Sequence, residues 1–177
     1  MDNDFFPVPA ALNIPAPTFA LPDLDGNLIS LESYLGKIVL LNFWSVDCGW
    51  SERVDRDLAP HLARWGADVA LLPIESNDNE RPEDVRRAAR ERGLPTVLLD
   101  AGQSVADLYG AQATPHFFLV DRAGILRYRG AFDDVTFRQR TPTQAYLIPA
   151  VDALLTNRLP APADTPTFGC TIVRYAE

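Results

Sequence analysis

Ile38-Val-Leu-Leu-Asn-Phe-Trp-Ser-Val-Asp-Cys48-Gly-Trp-Ser51 joins two unlike patterns. Residues 38–45 form an apolar run, as expected for a central strand buried on both faces. From Cys48 onward, Val54, Leu58, Leu62 and Trp65 recur at spacings of 4, 4 and 3, which marks one face of a helix. A strand that stops where a helix starts presents Cys48 at the helix N-terminus. There the helix dipole favours thiolate over thiol, and the thiolate is the nucleophile of thiol–disulfide exchange. Cys48 is therefore read as reactive; the alternative is a small hydrophobe packed at a strand end. Asp47 opposes the activation, because an adjacent carboxylate raises a thiol pKa.

Working outward, residues 68–75 give a second strand, with Pro73 near its end. Strand, helix, strand makes a βαβ unit, right-handed in nearly all cases. Pro60 should kink the intervening helix or end its regular part. Upstream, residues 1–17 are rich in proline and alanine and read as an extended arm. Residues 18–21 form a short strand, Asp25-Gly26 a hairpin turn, and residues 30–36 one helical turn. Downstream, residues 83–92 make a charged helix carrying four arginines, read as a solvated face. A short strand (95–99) and a short helix (103–110) follow. Residues 116–121 and 125–130 are strands that pair around Asp121-Arg-Ala-Gly124. A last helix falls within 143–156, its true start marked by Pro149. A proline-rich linker then delivers Phe168-Gly-Cys-Thr-Ile-Val173. The organisation is an N-terminal arm (1–17), one α/β domain (18–156) and a C-terminal arm (157–177). Its mixed sheet is flanked by helices on both faces, with chemistry at the end of the first central strand.

Composition narrows the function classes. A net charge of −8 disfavours nucleic acid and anionic membrane surfaces as partners. No stretch reaches the ~20 apolar residues of a membrane span. The first residues lack a secretory pattern, so the expected location is cytoplasmic. With two cysteines and two histidines, a Cys/His metal site is not expected, nor is a cofactor. In that compartment a cysteine pair is more often redox-active than structural.

Several separated motifs together carry a resemblance. Asn42-Phe-Trp-Ser-Val-Asp-Cys48-Gly-Trp-Ser51 resembles the Phe-Trp-x-x-x-Cys-x-x-Cys of thioredoxin-fold, peroxiredoxin-like proteins (the alkyl hydroperoxide reductase/thiol-specific antioxidant superfamily). Ala113-Thr114-Pro115-His116-Phe-Phe118 stands where those proteins carry a cis proline before a strand. Phe118-Leu-Val-Asp121-x-x-Gly124 and the ending Gly169-Cys170-Thr-Ile172 are similar to further pieces of that superfamily. The resemblance implies a thioredoxin-like fold over roughly residues 18–156. Two departures matter. Ser51 replaces the second motif cysteine, so no Cys-x-x-Cys disulfide can form. The peroxide-site triad is also absent: Trp44, Cys48 and Ser51 stand at its positions.

The candidate catalytic residues are Cys48, aligned with the nucleophilic first cysteine, and Cys170, the candidate resolving thiol. Gly169 would permit close backbone approach. The other reading of the tail is an edge strand over 171–175 with Cys170 packed inward. A Cys48–Cys170 disulfide would close a loop of about 120 residues. The candidate substrate-binding residues are Trp50, Ser51, Thr114 and Pro115. By resemblance Thr114-Pro115 is cis and offers the Thr114 backbone to a substrate strand; otherwise it is an ordinary edge-strand proline. Trp50 is a substrate-contacting aromatic or a lid over the sulfur. Ser51 hydrogen-bonds the thiolate or caps helix backbone. Trp44 belongs to the core, and His116 is read as structural. His61, roughly 20 Å along the helix, is too far to act as a base. Asp133-Asp134 is a turn or helix-cap cluster.

Three functions follow. The first is a thiol–disulfide oxidoreductase or redox-responsive protein, acting on protein or small-molecule thiols and disulfides with a thioredoxin- or glutathione-type reductant. The second is an antioxidant thiol peroxidase, and the third a non-catalytic thioredoxin-fold binding module.

Overall fold

The computed structural model describes residues 10–174. The first nine residues of the N-terminal arm, and Tyr175 of the proposed edge strand, lie outside the described residues. Strands β1 (Ala20–Pro22) and β2 (Leu28–Ser30) form the expected hairpin, followed by a 3-10 turn at Leu31–Tyr34. Then come β3 (Ile38–Trp44), α1 (Gly49–Trp65), β4 (Val69–Glu75), α2 (Pro82–Glu91) and β5 (Leu98–Leu99). Next are α3 (Ser104–Tyr109), β6 (Ala113–Thr114), β7 (His116–Val120), β8 (Leu126–Gly130), α4 (Leu147–Leu155) and β9 (Cys170–Thr171).

The main sheet runs β5-β4-β3-β7-β8, with β3 in the middle. Strand β3 is parallel to β4 (Ile38↔Val69) and antiparallel to β7 (Phe43↔His116), so the sheet is mixed, as read from the chain. All of β3 is buried because both of its faces are covered. Ile38 and Leu40 pack with Val54 and Leu58 of α1 and Leu147 and Val151 of α4. Val39, Leu41 and Phe43 pack with Val105, Ala106 and Tyr109 of α3 and with Phe19 and Leu21.

Three local expectations are corrected. Pro60 does not end α1, which continues to Trp65. Pro60 is exposed, so water can satisfy the carbonyl that its missing N–H leaves free. Pro149 lies inside α4, which starts at Leu147; a first-turn proline loses no intrahelical bond. The strand expected over 95–99 shrinks to Leu98–Leu99. On β4 it pairs with Ile74 and Glu75 and does not reach Pro73, and on its other side Leu98 bridges to Asp23, so Pro73 sits where β4 has a neighbour on one side only.

Beyond α4 the chain follows the edge of β8. The Thr165 N–H donates to the Arg129 carbonyl (3.1 Å) and Arg129 pairs with Asp164 (2.8 Å). A side chain at position 130 would collide with Thr165, so Gly130 (φ +144°) admits the segment. The arm then crosses to β6, where β9 pairs antiparallel with Thr114 opposite Cys170.

Candidate functional site

Cys48 occupies the N-cap of α1 in extended conformation (φ −99°, ψ 110°), at the positive end of a helix of 17 residues. The loop before it is held from two sides. The Glu80 carboxylate accepts the Ser45 hydroxyl and the Val46 N–H (3.0 Å). From α2's C-terminal end, the Arg92 guanidinium donates to the Val46 carbonyl (2.6 Å) and lies 5.1 Å from the Trp44 ring centre. Trp44 is core, as expected, and donates its indole N–H to Asp55 of α1 (2.8 Å), fixing helix to strand.

Opposite the sulfur stands Thr114, joined to Pro115 by a cis peptide bond. The Cys48 thiol donates to the Thr114 carbonyl at 3.2 Å. The strand pairing of Thr114 with Cys170 brings the second thiol into hydrogen-bonding contact with the first. Gly169 makes this possible, because a Cβ there would collide with the Thr114 carbonyl oxygen. The two readings of the tail are therefore one arrangement: the added edge strand is what carries Cys170 to Cys48. Both cysteines are free thiols in the structure.

The surroundings drive the two thiols apart in acidity. Burial pushes Cys48 up, but hydrogen bonds from the Cys170 thiol, the Ser51 N–H and the Thr114 hydroxyl outweigh it, and its pKa lies below the ordinary thiol value. Cys170 is pushed up to about 12 by burial, then by the hydrogen bond to and charge of Cys48. Asp47 is exposed and is not among the largest influences on Cys48. Cys48 itself is 1% exposed beneath the arm.

Of the other candidates, Ser51 acts through its backbone. Its N–H reaches the sulfur while its buried hydroxyl has no partner among the described residues. Trp50 is half-buried and forms a three-ring cluster with Phe168 (5.3 Å) and Phe137 (5.6 Å). A hollow of about 370 Å³ lies beside it, lined by Trp50, Arg53, Val135, Phe137 and Arg140. His61 is on the exposed side of α1 near Trp65. His116 lies on β7, its pKa lowered to about 4 by burial and by Arg129. Asp133 takes both nitrogens of Arg53 (2.9 Å each), and Asp134 ties the same loop together through Thr143 and Gln144.

Sequence reading missed Glu80, Arg92, Phe137 and Phe168. Arg92 was hidden in an arginine run that otherwise faces solvent. Only Phe137 carries a local signal: it is an aromatic in a polar loop, and it is 66% exposed.

Residues 12–129 match the AhpC/TSA family. The chain belongs to that family. Over 113 residues it is 32% identical to thiol-disulfide oxidoreductase ResA of Bacillus anthracis, covering 62% of this chain and 63% of ResA. The chain thus spans about 63% of the length of the curated relatives it matches. Two solved structures extend the likeness to both arms. Hypothetical protein SMc02350 of Sinorhizobium meliloti 1021 is 35% identical, with TM-score 0.85, covering 96% of this chain and 98% of that one. An uncharacterized conserved protein of Geobacillus kaustophilus is 30% identical, with TM-score 0.86 and 94% of each chain covered. The fold is thioredoxin-like.

Proposed function

We propose that the protein is a thiol–disulfide oxidoreductase in which Cys48 attacks and Cys170 resolves. The observation that carries this is the Cys48–Cys170 contact across the Thr114 strand pair, with one thiol acidified and the other held protonated. The relative's printed name, thiol-disulfide oxidoreductase, supports the same chemistry. The Cys48 thiolate attacks one sulfur of a substrate disulfide, forming a mixed disulfide and expelling the other sulfur as a thiolate. That thiolate takes a proton. Cys170 then loses its proton and attacks the Cys48 sulfur, releasing the second substrate thiol and leaving a Cys48–Cys170 disulfide. The substrate gains two electrons and the cysteine pair loses them. An external dithiol, or two glutathione-type thiols, restores the reduced pair.

Stopped turnovers test this. Cys48→Ser should abolish reduction of a small disulfide, and Cys170→Ser should accumulate a mixed disulfide on Cys48, read by intact mass without reductant. A Cys170→Ser protein that turns over at the wild-type rate with no trapped species refutes the resolving role.

The deep burial of Cys48 favours a second reading, an antioxidant thiol peroxidase, since a peroxide is small enough to reach a covered sulfur. Cys48 thiolate, a peroxide and a proton would give a sulfenic acid and an alcohol or water. Condensation with the Cys170 thiol would then release water. Peroxide consumption no faster than by a free thiol dismisses this reading.

A further inference from the structure

The segment lying across Cys48 is a peptide in a built groove, and it shows what that groove selects. Phe168 sits in the notch between Trp50 and Phe137 and meets both rings edge to face, with ring centres 5.3 and 4.7 Å away. Gly169 crosses the Thr114 carbonyl where no side chain fits. Cys170 pairs in register with Thr114, its sulfur on Cys48. Thr171 is exposed and makes no demand. Ile172 is 2% exposed within the main core cluster, its N–H on the Gln112 carbonyl (3.0 Å). Val173 is clamped through its backbone alone, by Asn77 (2.9 Å), Asp78 (3.0 Å) and Gln103 (2.7 Å). Backbone bonds supply affinity, and the alternate side-chain pockets supply specificity.

We infer that this groove is a sequence-selective site for an extended, cysteine-bearing protein segment of the form aromatic-Gly-Cys-x-aliphatic, and that the C-terminal arm is its resident occupant. A partner segment enters by displacing residues 168–174, which puts its own cysteine where Cys170 stood, and the arm docks again as Cys170 resolves the mixed disulfide. The exchange step rests on the oxidoreductase reading; recognition does not. Three features separate this site from a general peptide edge. Glycine is required immediately before cysteine, the next position is free, and the one after must be apolar. The tether is anchored at Thr165, which is buried and bonded to Arg129 and Ala131, so residues 166–174 leave while residues 157–165 stay in place.

The test uses the full chain carrying Gly169→Val, which sets a side chain against Thr114 and weakens the resident arm. A fluorescein-labelled peptide, Pro-Thr-Phe-Gly-Ser-Thr-Ile-Val-Arg, is titrated and followed by anisotropy. A second peptide has alanine in the glycine position. Serine in place of cysteine removes all thiol chemistry, so the outcome is independent of whether Cys48 turns over. The glycine peptide should bind saturably, at least about tenfold more tightly than the alanine peptide, and more tightly to Gly169→Val than to the wild type, whose own arm competes. Equal affinities for the two peptides overturn the inference, as does absence of binding to a variant shown to be folded by its cooperative thermal melt. If Gly169→Val does not fold, Phe168→Ala carries the same titration, because it removes only a half-buried ring from the arm.

Discussion

Cys48 and Cys170 are the same side chain driven in opposite directions by where each hydrogen bond falls. The Cys48 sulfur receives donors from Cys170, Ser51 and Thr114, so its charged form is solvated by protein. Cys170 spends its proton on that charge and cannot easily lose it. The two titrations are therefore linked, and deleting one thiol should move the other. Cys170→Ala should raise the Cys48 pKa, and Cys48→Ala should bring Cys170 down from about 12. Thiolate absorbance followed against pH reads both; a Cys48 midpoint unmoved by Cys170→Ala would mean that the helix N-terminus, Ser51 and Thr114 set its acidity without Cys170. The helix N-cap position of Cys48 was legible because a change of period, from strand to helix, is local information. Its contact with Cys170 was legible only as one of two readings of the tail, since nothing in either neighbourhood encodes which distant segment adds to β6. Ser51 misled for a simpler reason: its side-chain chemistry drew the reading, whereas its main-chain N–H does the binding.

Between elements, the decisive joint is Arg92 against β3 and α1. Its guanidinium meets the Ser45 and Val46 carbonyls, the Asp55 carboxylate (3.4 Å) and the Trp44 ring, and so ties the end of α2 to the Cys48 loop. Burial pushes the Asp55 carboxyl up; the Trp44 N–H and Arg92 oppose it. Arg92→Ala would leave that carboxylate buried without its cation, a loss on the order of 3 kcal/mol. Arg92→Lys should recover only part of it, because a point charge cannot span two carbonyls and lie flat on an indole. Urea unfolding of the three proteins checks this, and a lysine variant as stable as wild type would reduce the joint to simple charge pairing. Here the sequence reading was right about the helix and wrong about one residue of it. Four arginines at helical spacing describe a solvated face, and only the packing of α2 on Trp44 distinguishes the last of them.

For the whole molecule, the central sheet was legible because β3 is apolar on both faces and each neighbour has its own period. The path of the arm was legible only at Gly169, read as a close-approach glycine; the crossing at Gly130 was not, since its need appears only when a second backbone lies against it. The buried ionisable groups beside this framework set its response to pH. Burial raises Glu75, at the end of β4, to about 7 from an ordinary 4.5; Glu80 and Asp100 add to the rise and the Asn77 N–H opposes it. The fold thus holds a proton that the unfolded chain releases, so stability attributable to Glu75 declines as pH rises from 4.5 to about 7. His116 has the opposite sign. Burial and Arg129 keep it neutral down to about 4, while the unfolded chain protonates it near 6.5, so its contribution is lost as pH falls across that interval. The two oppose each other between pH 4.5 and 6.5, and Glu75 alone acts just above. Glu75→Gln keeps the shape of the side chain and removes its titration. Relative to wild type, the variant should therefore gain stability progressively from pH 4.5 to about 7, by an amount on the order of 3 kcal/mol. Urea midpoints of both proteins measured across that range give the difference directly, free of every group they share, and parallel profiles would show that Glu75 titrates in the fold as it does in water.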